Sequence, residues 1–196
     1  MANLAIALVI YYTLHSVLAA DFVKSLVLRN IPLHTYRLIY VLLAVVLLFI
    51  PVKYYLLAPD NLIAESGLFG RLIFFTLTII SLRISALSFK KVSLTQFLGL
   101  RSYSSTRLVV TGVFQFVRHP LYLSVMLILT GWCIAVPSQR NLLLLTITLA
   151  YIFIGYTWEE QKLIQEFGED YKKYKNQVPA LLPVDWKGFL KYVFAA

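Results

Sequence analysis

The chain has 196 residues, 60% of them hydrophobic and only 14% charged, with a mean hydropathy of +0.77. Soluble domains carry about a quarter charged residues, so this balance excludes a soluble enzyme, with or without a single anchor. It predicts an integral membrane protein forming one domain over residues 1–196. The net charge of +9 comes without the basic–aromatic patch or reader motif of a nucleic-acid binder, and anionic lipid headgroups account for it instead.

A hydrocarbon core of about 30 Å takes about 20 helical residues. Five segments meet that demand, at about 3–20, 38–57, 68–89, 121–136 and 142–158. The predicted class is therefore all-α, with about five transmembrane helices, a C-terminal helical hairpin and a tail helix. The first segment lacks a basic flank and a small-residue cleavage site, and reads as a retained span. Pro51 is expected to kink or end the second span. Ser81, Ser85 and Ser88 share one face of the third, a pattern of close helix packing, and Arg83 lies near enough to its end to reach the headgroups. The turn of the hairpin is placed at Pro137-Ser138-Gln139-Arg140. The single Cys133 lies inside a span, which leaves no disulfide framework or cysteine metal site.

Basic residues concentrate on one side of this arrangement. With the N-terminus outside, the cytoplasmic segments 90–120 and 159–196 and the first loop hold all of the 18 basic residues except Lys53, Arg71, Arg83 and Arg140. The expected topology is N-terminus outside and C-terminus cytoplasmic. In the tail, Leu163, Phe167, Tyr171 and Tyr174 recur at helical spacing over residues 159–175. Pro179 and Pro183 then interrupt the pattern, and Trp186, Phe189, Leu190 and Val193 mark a short amphipathic segment.

Arg118-His119-Pro120-Leu121-Tyr122 opens the fourth span, and Glu159-Glu160 closes the fifth. A hairpin brings its two ends to one membrane surface, so the basic cluster and the acidic pair face each other. Ionisable groups at such a place are functional candidates by default. Proline at the first helical position directs free backbone N–H groups and the positive end of the helix dipole toward the same place. Adjacent helical residues point about 100° apart, so one of the two glutamates is expected to face the hairpin interior. His15 and Ser16 form a second polar pair, near the end of the first span, suited to bonding a neighbouring helix or lining a substrate pocket.

Together with Leu108-Val109-Val110-Thr111-Gly112, Phe167-Gly168-Glu169-Asp170-Tyr171, Tyr174 and Val178-Pro179 to Leu182-Pro183, these motifs resemble the isoprenylcysteine carboxyl methyltransferase and phospholipid methyltransferase superfamily over about residues 96–183. His15-Ser16-Val17-Leu18-Ala19-Ala20, Lys24, Tyr36-Arg37-Leu38-Ile39-Tyr40 and Phe97-Leu98-Gly99-Leu100 are similar to its bacterial branch of methanethiol S-methyltransferases and NnrU proteins. One departure stands out. Many members carry an arginine shortly before the glutamate pair, where this chain has Tyr156-Thr157-Trp158.

The resemblance implies an enzyme of the bacterial inner membrane that uses S-adenosylmethionine as methyl donor. It assigns Arg118 and Glu160 to catalysis, and Gln96, Gly112, His119, Tyr122, Glu159, Glu160, Leu182 and Pro183 to the cofactor. His15, Ser16 and Arg118 fall to the substrate, and no metal is implied. Physically, a carboxylate suits the donor's ammonium and Arg118 its carboxylate. Transfer from a sulfonium to an anion removes two charges, which a water-poor pocket favours. That fits a small or lipophilic thiol best, with membrane lipids as surroundings. Isoprenylcysteine carboxyl O-methylation and phospholipid N-methylation are alternatives within the class; an NADPH-dependent membrane reductase and a non-catalytic membrane sensor or subunit are alternatives outside it.

Overall fold

In lipid an apolar run satisfies its backbone hydrogen bonds internally only as a helix or a closed barrel, and in the computed structural model every regular element among the described residues is helical. The structure describes residues 1–65, 67–98, 100–101 and 107–195. Gly99 of the Phe97–Leu100 motif, and residues 102–106 of the predicted 90–120 segment, lie outside the described residues. Helices α1 (Ala2–Ala19), α3 (Leu33–Leu57), α4 (Leu68–Phe89) and α7 (Gln139–Phe167) are long and apolar enough to cross a membrane; α6 (Pro120–Ala135) is a shorter apolar helix. This agrees with about five spans. Short helices α2 (Asp21–Val27), α5 (Leu94–Phe97), α8 (Glu169–Gln177) and α9 (Trp186–Ala195) and a 3-10 turn (Gly112–Gln115) complete the chain.

The chain divides into two compact units, one of Met1–Asn61 with Ser93–Ser105, the other of Leu62–Val92 with Thr106–Ala196. In the first, α1 packs on α3 through buried Leu4, Ala7 and Leu8, which recur at helical spacing. The buried Tyr36 donates its hydroxyl to the Leu18 carbonyl, and Tyr40 bonds His15 Nε2 at 2.7 Å. His15 is thus tied to α3, as its helix-bonding reading expects. Pro51 does not end α3, which runs on to Leu57; the freed carbonyl of the preceding turn is tolerable where the rest of the helix is intact.

The second unit is built on the antiparallel pair α4 and α6. Gly70 and Gly131 let the backbones approach closely: a Cβ on Gly70 would stand 2.9 Å from the Ile134 carbonyl oxygen, and one on Gly131 3.2 Å from Phe74 Cα. Ser81 and Ser88 are buried in α4, each returning its hydroxyl to a carbonyl one turn back. The serine face is therefore a packing face. Between α6 and α7 the turn is tighter than the sequence suggests, because Ser138 already caps α7, accepting from Asn141 N–H at 3.4 Å. Asn141 returns its amide to the Val136 carbonyl at 2.7 Å.

Helix lengths decide what stands clear of the lipid. At 1.5 Å per residue, α6 spans about 24 Å and α7 about 43 Å, so α7 outruns a core of about 30 Å by a little over two turns. Glu159 and Glu160 stand about 30 Å along α7 from its start at Gln139, at 1.5 Å per residue. The predicted tail helix over 159–175 is thus two pieces: its first half continues α7, and its second half is α8. Gly168, at φ +56, makes the break. Beyond α8, helix α9 folds back and buries Phe189 and Val193 in a cluster with Ile84, Leu87, Val113, Val117 and Leu123.

Gly70→Ala is expected to lower the thermal unfolding midpoint in detergent, because a backbone carbonyl cannot yield as a side chain can; overpacking costs about 1–3 kcal/mol. Gly67→Ala, with nothing within 4 Å of its Cβ, serves as the control and should leave the midpoint unchanged.

Candidate active site

All the polar residues of the hairpin ends belong to the second unit. Pro120 begins α6 with φ preset for a helix, and Arg118 and His119 stand just before it outside the helix, His119 as its N-cap. Their backbone N–H groups donate to the Pro179 and Ala180 carbonyls at 2.9 and 3.0 Å. The segment after α8 therefore lies alongside Arg118-His119 as a strap. Tyr174 fastens α8 from the other side, donating its hydroxyl to the Phe114 carbonyl at 2.6 Å.

Glu160 is the centre. Its side chain is 3% exposed, yet three groups converge on it. Arg118 donates from Nε to Oε1 at 2.7 Å and places Nη2 2.5 Å from the same oxygen. His119 Nε2 lies 3.2 Å from Oε1, and Lys175 Nζ 2.9 Å from Oε2. A carboxylate out of water needs partners of this kind, since a buried unpaired charge costs several kcal/mol. Arg118 is committed further: its Nη1 donates to the carbonyls of Lys175, at 2.9 Å, and of Val178. Each of the three guanidinium nitrogens thus has an acceptor inside the protein.

Glu159 is placed differently. Its side chain is 48% exposed. Tyr122 donates its hydroxyl to Oε2 at 2.9 Å, and His119 Nδ1 lies 3.9 Å from that oxygen. One glutamate is therefore buried and the other open, which matches the divergence of adjacent helical residues. The His119 ring is flanked by Tyr122 and Tyr156, with centroids 5.6 and 5.5 Å away. The buried hydroxyl of Tyr171 lies beside the Arg118 guanidinium and Glu160 without a hydrogen bond of ordinary geometry among the described residues. Burial raises the pKa of both Tyr171 and Tyr174 far above the ordinary phenol value, so both stay neutral.

The other predicted site residues divide. Gly112, at φ +72, starts the 3-10 turn, and a Cβ there would strike Lys91 Cε at 2.9 Å and approach the Tyr192 hydroxyl at 3.1 Å. Pro183 is buried, but Leu182 is exposed and its neighbour Leu181 is the buried one. Gln96, His15 and Ser16 belong to the first unit, where the Gln96 carbonyl accepts from Arg37 Nη1 at 3.4 Å. Sequence reading did not single out Lys175 or the ring of Tyr156 for the site. Lys175 had no visible signal, because the break at Gly168 destroys its helical phase with Glu160. Tyr156 had one, its place one turn before Glu160 on the same helix face.

Comparisons with known proteins fit this geometry. Residues 67–170, just over half of the chain, match the phospholipid methyltransferase family. A methanethiol S-methyltransferase of Crocosphaera subtropica is 30% identical over 184 residues, covering 86% of this chain and 69% of that protein. Methanethiol S-methyltransferase 1 of Bradyrhizobium diazoefficiens is 41% identical over 71 residues, 36% of this chain and only 24% of the relative's length. A protein-S-isoprenylcysteine O-methyltransferase of Dictyostelium discoideum is 33% identical over 88 residues, 39% of this chain and 32% of that one. No solved structure matches. The family match contains Arg118, His119, Tyr122, Glu159 and Glu160 but stops short of Lys175 and the strap, and the Crocosphaera similarity extends over most of the chain: this is an integral membrane protein of the phospholipid methyltransferase family.

Proposed function

We propose that the chain is an S-adenosylmethionine-dependent methyltransferase of the bacterial inner membrane, N-terminus outside and C-terminus cytoplasmic, acting on a small or lipophilic thiol. The observation that carries this reading is the pairing of a buried, fully compensated Glu160 with an open Glu159 beside an aromatic flank. Support for a thiol comes from the methanethiol S-methyltransferase names of two relatives. When bound, the donor supplies an electrophilic methyl group on a sulfonium cation, whose transfer to a thiolate discharges both partners.

The residues present fit that donor. Glu159 keeps Oε1 for an ammonium group, and the rings of His119, Tyr122 and Tyr156 suit a planar adenine or a cationic sulfur. The Tyr171 hydroxyl, beside Arg118, is a buried polar group with no hydrogen bond of ordinary geometry among the described residues. Arg118, first assigned to catalysis and a carboxylate, is better read as a positioning residue, since its nitrogens already hold Glu160 and the strap. Lys175 retains donor capacity: it is 43% exposed and spends one bond on Glu160. It is the cation we assign to the donor's carboxylate.

Lys175→Met should weaken S-adenosylmethionine binding by roughly tenfold or more, as loss of a charge-assisted bond implies. The decarboxylated analogue should lose little, with both measured by calorimetry. Equal loss for the two ligands removes Lys175 from that role. In Arg118→Ala, amide exchange should accelerate over residues 175–183 while α4 and α6 remain protected; unchanged exchange would contradict the strap. With labelled donor and a panel of methanethiol, longer thiols, farnesylcysteine and phosphatidylethanolamine, the thiols should be methylated fastest. A donor that binds yet labels none of them would falsify the transferase reading.

A further inference from the structure

Helix α9 has the pattern of a surface-lying helix and the position of one. Phe189 and Val193, one turn apart, are fully buried against α4, the 3-10 turn and the start of α6. Phe116 meets the Phe189 ring edge-on at 5.6 Å, and the Tyr192 ring at the same distance. Asp185 caps the N-terminus, accepting from Gly188 N–H at 2.9 Å. At the other end the Arg83 guanidinium donates from Nε to the Val193 carbonyl at 3.2 Å, satisfying a group of the last turn that the helix itself leaves open. Both ends are fastened, so α9 is a fixed part of the fold.

Its level relative to lipid follows from α4. Arg83 precedes the end of α4 at Phe89 by a little under two turns, about 9 Å at 1.5 Å per residue. The packing partners Ile84 and Leu87 lie between the two. With the end of α4 taken as the membrane surface, that is the depth, about 5–10 Å into the headgroup–acyl boundary, at which interfacial helices settle. The outer face suits the same boundary. Lys187 and Lys191 are one turn apart and exposed, on the side away from Phe189 and Val193. Beside them Trp186, Phe194 and the preceding Val184 are 41%, 55% and 87% exposed, more apolar surface than water would favour at so short a segment. Lys90 and Lys91 follow α4 directly, and the Lys91 stem and the Tyr192 hydroxyl meet over Gly112. Asp185, the acid of this segment, is occupied as the cap.

We propose that α9 lies in the plane of the membrane surface and collects anionic phospholipid headgroups on Lys187 and Lys191, with Trp186 and Phe194 in the acyl boundary. The occupant is a lipid because the lysines are framed by exposed apolar side chains at headgroup depth. A lysine at that level enriches anionic lipid by roughly fivefold at low screening.

The test uses the full chain in nanodiscs of mixed phosphatidylcholine and phosphatidylglycerol. Trp186 is isolated by Trp132→Phe and Trp158→Phe, and the bromine label is carried on one lipid at a time. Brominated phosphatidylglycerol should quench Trp186 at least about twofold more than brominated phosphatidylcholine, a cautious fraction of that enrichment. Lys187→Gln with Lys191→Gln should equalise the two, and added inorganic phosphate should leave the preference in place. No quenching by either lipid overturns the membrane position. Equal quenching in the lysine-containing chain, or a preference that survives the double lysine change, overturns the headgroup contacts. As a check free of tryptophan changes, the ratio of phosphatidylglycerol to phosphatidylcholine retained on detergent extraction should fall in the double lysine variant; an unchanged ratio also counts against the proposal.

Discussion

A single buried carboxylate organises the second unit of this protein. Glu160 has to be compensated, and the groups that compensate it come from separate parts of the chain: Arg118 and His119 from the entry to α6, and Lys175 from α8. Removing one partner from such an arrangement commonly costs about 3–5 kcal/mol, comparable to a large part of a domain's net stability. The ion cluster therefore fixes where α6, α7 and α8 meet. Arg118 extends that constraint by holding the carbonyls of Lys175 and Val178 as well, so the strap over the site and the buried charge are held by one side chain.

Two features of the backbone make the cluster possible. The first is the length of α7, which holds Glu159 and Glu160 toward its far end on one continuous helix. The second is Gly168, whose positive φ lets the chain turn back so that α8 can present Lys175. Were α7 to continue straight, Lys175 would stand about 22 Å further along the helix from Glu160, at 1.5 Å per residue. The reversal turns a tail into a wall of the site, and α9 then closes the core beneath it through Phe189 and Val193.

The contrast between the two glutamates follows from the same geometry. They share one peptide bond, yet one is sealed among cations and the other open beside Tyr122 and the rings around His119. A buried, compensated carboxylate shapes a site, whereas an exposed one with a free oxygen can exchange partners with a ligand. The aromatic flank and the buried Tyr171 hydroxyl lie on the same group of residues. Structure and ligand readiness are thus divided between neighbours.

Much of this was legible in the residues. Hydropathy and length gave the spans, because lipid leaves a backbone so few alternatives, and the ordered motifs pointed to the family. The ends of the hairpin had to meet, and Arg118, His119, Tyr122, Glu159 and Glu160 do. The stretch 159–175 is helical as its spacing predicts but is divided between α7 and α8 at Gly168, because helical periodicity does not show where one helix ends and the next begins. What the sequence could not contain was the direction of the chain after Gly168. A single positive φ rotates everything that follows it, and only the packed fold shows where Lys175 lands. The local pattern determined which elements form; the burial of one charge, needing partners from distant segments, decided how those elements come together.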